Sequence, residues 1–241
     1  MSLMLRHQRM QTEQAADAGR PASGGAVAIG GVSAGAIGQQ QLAALLTHAL
    51  EEDLKRLREI KSIERKIEVK RELLIPKYRD YVVRLMAAGK RHDILEYYLV
   101  WLLDAGNIET ALALGFTLVE RGVGLPQRFN RDVATFMADT VLEWAEAEYE
   151  AGRSPEPYFS RLFNRVDGRV DGRVDGRVDG VEIGPWDLPD PLRAKYYRLR
   201  GLLDEKKGDI DMAIARLTRA MELGAKVKTK LAELNKQTGE R

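Results

Sequence analysis

The sequence predicts an all-α protein, and three observations support this class. Charged residues make up 31% of its 241 residues and aromatic residues only 7%, a composition that favours helices over sheets. Residues 102–112 and 202–214 share one order of features: a helix end, a Gly, a polar residue, then Ile and Ala. Residues 39–75 carry apolar side chains at steps of three, four and seven, which is the spacing of one helix face.

The two related segments predict helical hairpins. Gly and a polar residue stand together in each, as a helix end and the N-cap of the next helix require. In the second segment, small and apolar residues lie at the offsets of a tetratricopeptide (TPR) unit: Gly201, Gly208, Ala213, Leu217 and Ala220. We therefore expect one C-terminal TPR-like hairpin over about residues 191–235. A single unit does not form a solenoid, so the hairpin packs on the rest of the chain or is offered to a partner.

Residues 1–38 predict a flexible N-terminal arm, because they are rich in Gly, Ser and Ala and show no apolar period. From about Gln39 to Ile75 we expect one long amphipathic helix, which Pro76 ends or kinks. A helix of ~35 residues is ~50 Å long, more than the width of a small domain. We expect this helix to pack on a partner subunit, so the chain is predicted to assemble as a homo-oligomer.

Four further helices are predicted between the long helix and the repeat described below. They cover about residues 77–88, 93–102, 108–120 and 130–151, and Gly122, Gly124 and Gly152 mark the last two helix ends. The predicted segments are an arm (1–38), the long basic helix with the helix after it (39–91), a helical core (92–160), a repeat linker (161–184) and the C-terminal hairpin (185–241).

A four-residue repeat interrupts the helical pattern. Arg165-Val166-Asp167-Gly168 recurs without change up to Gly180, giving four tandem copies. Each copy is charge-neutral, and Asp-Gly pairs favour tight turns. Calcium-binding repeats of this general kind are longer and richer in Gly. We therefore interpret the copies as a flexible linker.

Several classes of chemistry lack their sequence signals. No Gly-x-x-x-x-Gly-Lys-Ser/Thr phosphate loop occurs, so the chain is not expected to be an ATPase of that class. The chain contains no Cys, which excludes disulfides and thiolate zinc sites and favours a reducing compartment. His7, His48 and His92 are scattered, and no nucleophile elbow is present. No apolar run reaches membrane-spanning length, and no secretion signal is recognisable.

One group of acids is a candidate catalytic site. Asp139, Glu143 and Glu146 lie at helical spacing on one face, with Asp132 before them and Glu150 after them. Such a face could hold Mg²⁺ ions, and it could equally be a solvated face or a docking patch for a basic partner. We expect no metal site, and a need for Mg²⁺ only if the chain is an endonuclease.

Basic residues outnumber acids on the long helix. The candidates for phosphate contact are Lys55, Arg58, Lys61, Arg65, Lys66, Lys70 and Arg71. A row of cations on a rigid helix neutralises successive phosphates with little sequence information. The alternative, a coiled-coil exterior with Glu and Lys paired at i, i+4, stays open. No recognition helix for base readout can be identified.

Several short motifs occur in the order typical of one protein family. They are Leu5-Arg6-His7 with Arg9 and Met10, Lys70 to Leu74 before Pro76, Asp93-Ile94-Leu95, Trp101 to Ile108, Ala111-Leu112, Gly124-Leu125-Pro126, Asp187 to Asp190, Arg193-Ala194-Lys195, Gly201 and Gly208-Asp209. With these motifs the chain resembles the small terminase subunit of temperate contractile-tailed phages, the gpM-like family. Its members are often labelled terminase endonuclease subunits. The four-residue repeat and the Gly-rich arm are not features of that family.

The resemblance implies a role in packaging viral double-stranded DNA. Small terminase subunits recognise the packaging start site, assemble as multimers and deliver DNA to a large subunit that carries the ATPase motor. We therefore predict a non-catalytic subunit in the host cytoplasm that binds phage DNA, recruits the large subunit and needs neither cofactor nor membrane. Two alternatives stay open: an endonuclease acting through Asp139, Glu143 and Glu146 with Mg²⁺, and a purely protein-binding helical adaptor.

Overall fold

Helices form nearly all of the described structure. The computed structural model describes residues 34–127, 129–168, 177–178, 181–182 and 186–239. Within these ranges the secondary structure is helical except for one short antiparallel pair, so the all-α prediction is confirmed. Residues 1–33 of the predicted arm lie outside the described residues, and the rest of the predicted arm begins the first helix.

The chain divides into two compact units. The first extends to residue 114 and includes residues 120–130, and the second comprises residues 115–119 and 131 onwards. This division falls at residue 130, inside the segment 92–160 that the sequence analysis treats as one core. The first unit contains helices α1 (Ala34–Glu59), α2 (Ile63–Val69), a π-helical turn (Lys70–Leu74), α3 (Ile75–Ala87), α4 (Asp93–Asp104) and most of α5 (Ile108–Glu120).

The long helix is present but ends sooner than the prediction places it. α1 has 26 residues and stops at Glu59, so a single helix to Ile75 is wrong. Ser62 caps a new helix there, since its Oγ accepts a hydrogen bond from the backbone N–H of Arg65 at 3.3 Å. A capping Ser offers the backbone an alternative to continued helix, although the apolar stripe runs on through the break.

Pro76 neither ends nor interrupts the helical run from Ile63 to Ala87. It lies in the first turn of α3, directly after the π-helical turn, in which the N–H of Ile75 bonds to the carbonyl of Lys70. A proline lacks the N–H that the carbonyl four residues earlier requires, and its ring needs space. The wider π turn supplies that space.

The core of the first unit is built around α4, and the first predicted hairpin is confirmed. Trp101 is fully buried, and its ring lies 5.7 Å from that of Tyr78. α4 ends where Gly106 adopts φ +75°, and Asn107 donates its N–H to the carbonyl of Leu102 at 2.9 Å. The Asn107 side chain then accepts from Thr110 N at 3.3 Å, so it caps α5 as its residue type predicts.

The second unit contains the C-terminal hairpin and a third helix behind it. Its elements are α6 (Val133–Glu150), α7 (Tyr158–Asp167), β1 (Arg177–Val178), β2 (Val181–Glu182), α8 (Asp190–Lys206), α9 (Ile210–Glu222) and α10 (Lys228–Gly239). Gly208 (φ +85°) ends α8 and Asp209 caps α9, so the predicted hairpin is present. The chain does not continue α9 to residue 235, because Gly224 (φ +97°) ends it and α10 follows.

The prediction of a linker over residues 161–184 is wrong for the first part of that range. Residues 161–167 belong to α7, and the first copy of the repeat forms the end of that helix. Val166 is fully buried, and Asp167 accepts hydrogen bonds from Tyr197 and Arg216. The apolar pattern of Phe159, Leu162, Phe163 and Val166 predicts this helix at spacings of three and four, and the repeat obscures it. The second and third copies and the last two residues of the fourth lie outside the described residues.

Candidate nucleic-acid interface

Five of the seven predicted phosphate contacts lie close together in the chain, around the break between α1 and α2. Lys55 and Arg58 belong to the last turns of α1, Lys61 to the break, and Arg65 and Lys66 to α2. We call this group the cationic elbow. Its first four members are exposed and Lys66 is half-buried.

Four cations of the elbow have no acidic partner within the part of the chain that the structure describes. No carboxylate there lies within 4.0 Å of the charged group of Lys55, Arg58, Lys61 or Arg65. Unpaired cations attract an anionic partner more strongly than cations already neutralised within the protein. The coiled-coil alternative requires Glu partners at i, i+4, and within the described residues these four cations have none.

The two remaining candidates fasten the π-helical turn to the end of α4. Lys70 Nζ lies 2.6 Å from Asp104 Oδ2, and both side chains are largely buried, with 13% and 18% exposed. Arg71 donates to the carbonyl of Ala105 at 3.2 Å. Cations near a helix C-terminus also stabilise the helix dipole. These two residues thus have a structural role apart from the elbow.

Asp53 is an important residue of this region that the sequence analysis did not select. Asp53 is 4% exposed. Its Oδ2 accepts hydrogen bonds from Lys77 Nζ at 2.5 Å and from Tyr78 Oη at 2.8 Å. Burial, with the hydrogen bond to Asp53, raises the pKa of Tyr78 above its usual value. A signal was present in the sequence, because Asp53 fills the gap between Leu50 and Leu57 on the apolar stripe.

Arginines of the second unit are mostly tied to acids or rings. Ion pairs of these arginines join Arg131 to Asp139, Arg153 to Glu148, Arg193 to Asp190, Arg198 to Glu146, Arg200 to Glu156 and Asp204, Arg216 to Asp167 and Arg219 to Glu222. Arg161 and Arg165 lie 6.0 and 5.0 Å from the ring of Phe116. The arginines of the second unit are therefore largely neutralised within the protein, unlike the four unpaired cations of the elbow.

The acids predicted as a catalytic alternative do not form a metal donor set. Asp139 pairs with Arg131 at 2.6 Å, and Glu146 pairs with Arg198 at 3.1 Å. Asp132 caps α6 by accepting from Thr135 N at 2.7 Å. Among the described residues, no group of three or more His, Cys, Asp or Glu side chains is placed to hold a metal ion. Asp139 and Glu146 are thus neutralised by arginines in this arrangement.

Within the described residues, the fold and the elbow define a helical protein with an exposed group of cations in its first unit. Among the helices just described, none combines the length and the apolar composition that a membrane crossing requires.

The family follows from comparison with known proteins. Residues 47–171 match the family model of the phage small terminase subunit. The chain is 30% identical over 211 residues to the "Terminase, endonuclease subunit" of Escherichia phage P2, a match that covers 82% of this chain and 78% of that protein. The chain belongs to the phage small terminase subunit family, and the resemblance predicted from its motifs is confirmed.

A second relative matches a shorter region. The "Probable terminase, endonuclease subunit" of Haemophilus phage HP1 (strain HP1c1) is 31% identical over 122 residues, which cover 50% of this chain. The match spans 43% of the length of the HP1 protein. No solved structure shows significant similarity to the chain.

Proposed function

We propose that this terminase small subunit binds viral double-stranded DNA at the packaging site and recruits the large ATPase subunit for genome packaging. The observation that carries the proposal is the cationic elbow, whose unpaired cations lie inside the segment that matches the family model. We propose the host cytoplasm as the place of this activity.

The elbow suits contact with the DNA backbone. Lys55 and Arg58 are one turn apart on α1, and Arg65 follows on a second helix, so the cations are distributed along the chain rather than held at one point. Each phosphate neutralised by a cation releases condensed counterions, which makes binding strong at low salt and weak at high salt. Such contacts position a protein on DNA and carry no sequence information themselves. Preference for the packaging site therefore needs further contacts or DNA shape.

The proposal predicts which cations set the salt dependence of binding. Replacement of Lys61, Arg65 and Lys66 by Gln should lower the slope of log affinity against log salt by about two to three, because each lost phosphate contact removes about 0.9. Binding is measured across a salt series, with Mg²⁺ present, on a fragment containing the packaging site and on an unrelated fragment of equal length.

A matched control removes the same charge from the second unit. Lys226, Lys228 and Lys236 are exposed there, and their replacement by Gln should leave the slope almost unchanged. Equal slopes for the elbow variant and the wild type would contradict the assignment of the elbow. Absence of binding by the wild type even at low salt would favour the protein-binding adaptor instead.

A second candidate function is that of a Mg²⁺-dependent endonuclease, which the names of the two relatives favour. Its residues would be Asp139, Glu143 and Glu146, although two of these are paired with arginines. If this candidate is correct, the purified protein nicks DNA that contains the packaging ends without the large subunit, and Glu143→Gln abolishes nicking. Nicking retained in that variant would remove this set of residues from consideration.

A further inference from the structure

Asp53 stands at a position of α1 where the helix pattern calls for an apolar residue. Leu46, Leu50 and Leu57 form the buried stripe of this helix, and Asp53 continues it at steps of three and four. A buried carboxylate must be desolvated, and an apolar side chain at the same place would avoid that penalty. Packing alone therefore does not explain a charge at this site.

The partners of the Asp53 carboxylate come from one turn of another helix. Lys77 and Tyr78 both lie in the first turn of α3, and both reach the same oxygen, at 2.5 and 2.8 Å. Tyr78 is 1% exposed and packs against Trp101 of α4, so it is a fixed point of the core. Hydrogen bonds require specific distances and angles, whereas a stripe of leucines tolerates sliding, and a single polar residue in such a stripe can set its register.

The contacts of Asp53 matter for the elbow because the helix is broken between α1 and α2. Residues 60–62 are not helical, so no continuous helix holds Lys55 and Arg58 in register with Arg65. Arg56 adds a weaker contact to the other oxygen of Asp53, at 3.5 Å, with its own side chain 72% exposed. The carboxylate is thus the polar link that joins the cationic end of α1 to the helices that continue from α2.

We infer that Asp53 is a positioning residue, which holds the α1 part of the cationic elbow in register with the α2 part so that both contact one DNA backbone. The inference rests on the proposed function for its role in DNA binding. It does not require Asp53 to contact DNA, because the residue is buried.

The test uses a change for which simple electrostatics and the inference predict opposite signs. Asp53→Leu removes a negative charge beside the elbow, which by charge alone strengthens DNA binding. The inference predicts affinity lower by about ten-fold at low salt and a salt slope reduced by about two, because Lys55 and Arg58 lose their alignment. Affinity equal to or above that of the wild type would overturn it.

Two further variants distinguish the loss of helix alignment from the loss of a negative charge. Glu59 is an exposed acid on the same helix, and Glu59→Gln should bind DNA as well as the wild type or better. Tyr78→Phe changes no formal charge and removes one of the two strong hydrogen bonds to Asp53, so it should weaken binding in the same direction as Asp53→Leu. A normal affinity for Tyr78→Phe, together with a normal affinity for Asp53→Leu, contradicts the role.

A distance measurement decides the structural part without DNA. The sequence has no Cys, so spin labels can be placed uniquely at Glu52→Cys on α1 and Glu68→Cys on α2, both exposed positions. Double electron–electron resonance should give one narrow distance in the wild-type background and a broadened one with Asp53→Leu. An unchanged distance would overturn the positioning role. If the wild type fails to bind DNA, the proposed function fails, and this measurement still decides the register of α1.

Discussion

Gly201 shows how a single residue determines the spacing of α8 and α9. A Cβ atom at this position would lie 2.7 Å from Leu217 Cγ and 3.2 Å from the carbonyl of Ala213. Leu217 and Ala213 are fully buried, so neither has room to move away. The two helices can approach this closely only because position 201 has no side chain.

Gly201→Ala should therefore destabilise the second unit. Overpacking lowers the stability by about 1–3 kcal/mol. The higher helix propensity of Ala relative to Gly raises the stability by about 1 kcal/mol. We expect the free energy of unfolding to fall by up to about 2 kcal/mol, measured by urea denaturation. Lys195→Ala, on an exposed position of the same helix, serves as the control and should change it by less than about 0.5 kcal/mol. A more stable Gly201→Ala variant would show that the helices can separate without cost.

At the scale of elements, the first copy of the repeat is part of a helix, because it forms the end of α7. Gly168 ends the helix in the left-handed conformation. The chain returns to the same place, because Trp186 donates its backbone N–H to the carbonyl of Arg165 at 2.9 Å. Gly168 and Trp186, which flank residues 169–185, therefore both lie at the end of α7. The first copy alone supplies the buried Val166 and the Asp167 carboxylate that binds Arg216 at 3.2 Å.

Removal of three copies should be tolerated. Deletion of residues 169–180 leaves one copy to end α7 and removes β1, the two-residue strand that pairs with β2. The shorter connection lowers the entropy cost of closure by about 1 kcal/mol, which offsets the loss of this short pairing. We expect the thermal midpoint and the DNA affinity to match those of the wild type.

Deletion of all four copies, residues 165–180, is the matched comparison. It removes Val166 and leaves Arg216 without Asp167, and loss of one partner of a buried pair costs about 3–5 kcal/mol. A large fall in the thermal midpoint is expected for this variant alone. Equal stability of the two deletions would show that the first copy has no structural role.

The same elements show how far sequence reasoning reaches. Helix ends at Gly106, Gly152 and Gly208 are predictable because each depends on a local need for a left-handed residue and a following cap. The pairing of Lys70 with Asp104 joins residues 34 apart in sequence, and no local pattern announces it. Asp53 lies on the apolar stripe that the sequence shows, but its partners Lys77 and Tyr78 belong to another helix, and no local pattern predicts them. The basic composition of the cationic elbow was predictable from the sequence. The sequence did not show which of its cations lack an acidic partner.

At the scale of the whole molecule, exposed apolar side chains concentrate in the first unit. Leu42 and Leu45 of α1 are 48% and 67% exposed, and Leu73 and Val83 are 62% and 61% exposed. In the second unit, Met212 is the comparable case among the described residues, at 38%. Exposed apolar residues grouped on one part of a protein mark contact surfaces. We propose that α1 contributes to contacts between copies of the chain, as the predicted homo-oligomer requires.

An oligomer built through α1 would also strengthen DNA binding. Each copy brings one cationic elbow, and linked copies bind one DNA molecule with higher avidity than a single copy.

If α1 joins the subunits, Leu42→Gln with Leu45→Gln should shift the protein from oligomer to monomer in size-exclusion chromatography with light scattering. Burial of each Leu is worth about 1.5–3 kcal/mol, so the dissociation constant of the assembly should rise by at least about 100-fold. The elbow is unchanged in this variant, so DNA affinity should fall as a consequence of lost avidity, and the salt slope should decrease with it. Met212→Gln should alter neither property. A wild-type protein that is monomeric at micromolar concentration, or a variant that remains oligomeric, would show that α1 does not join the subunits.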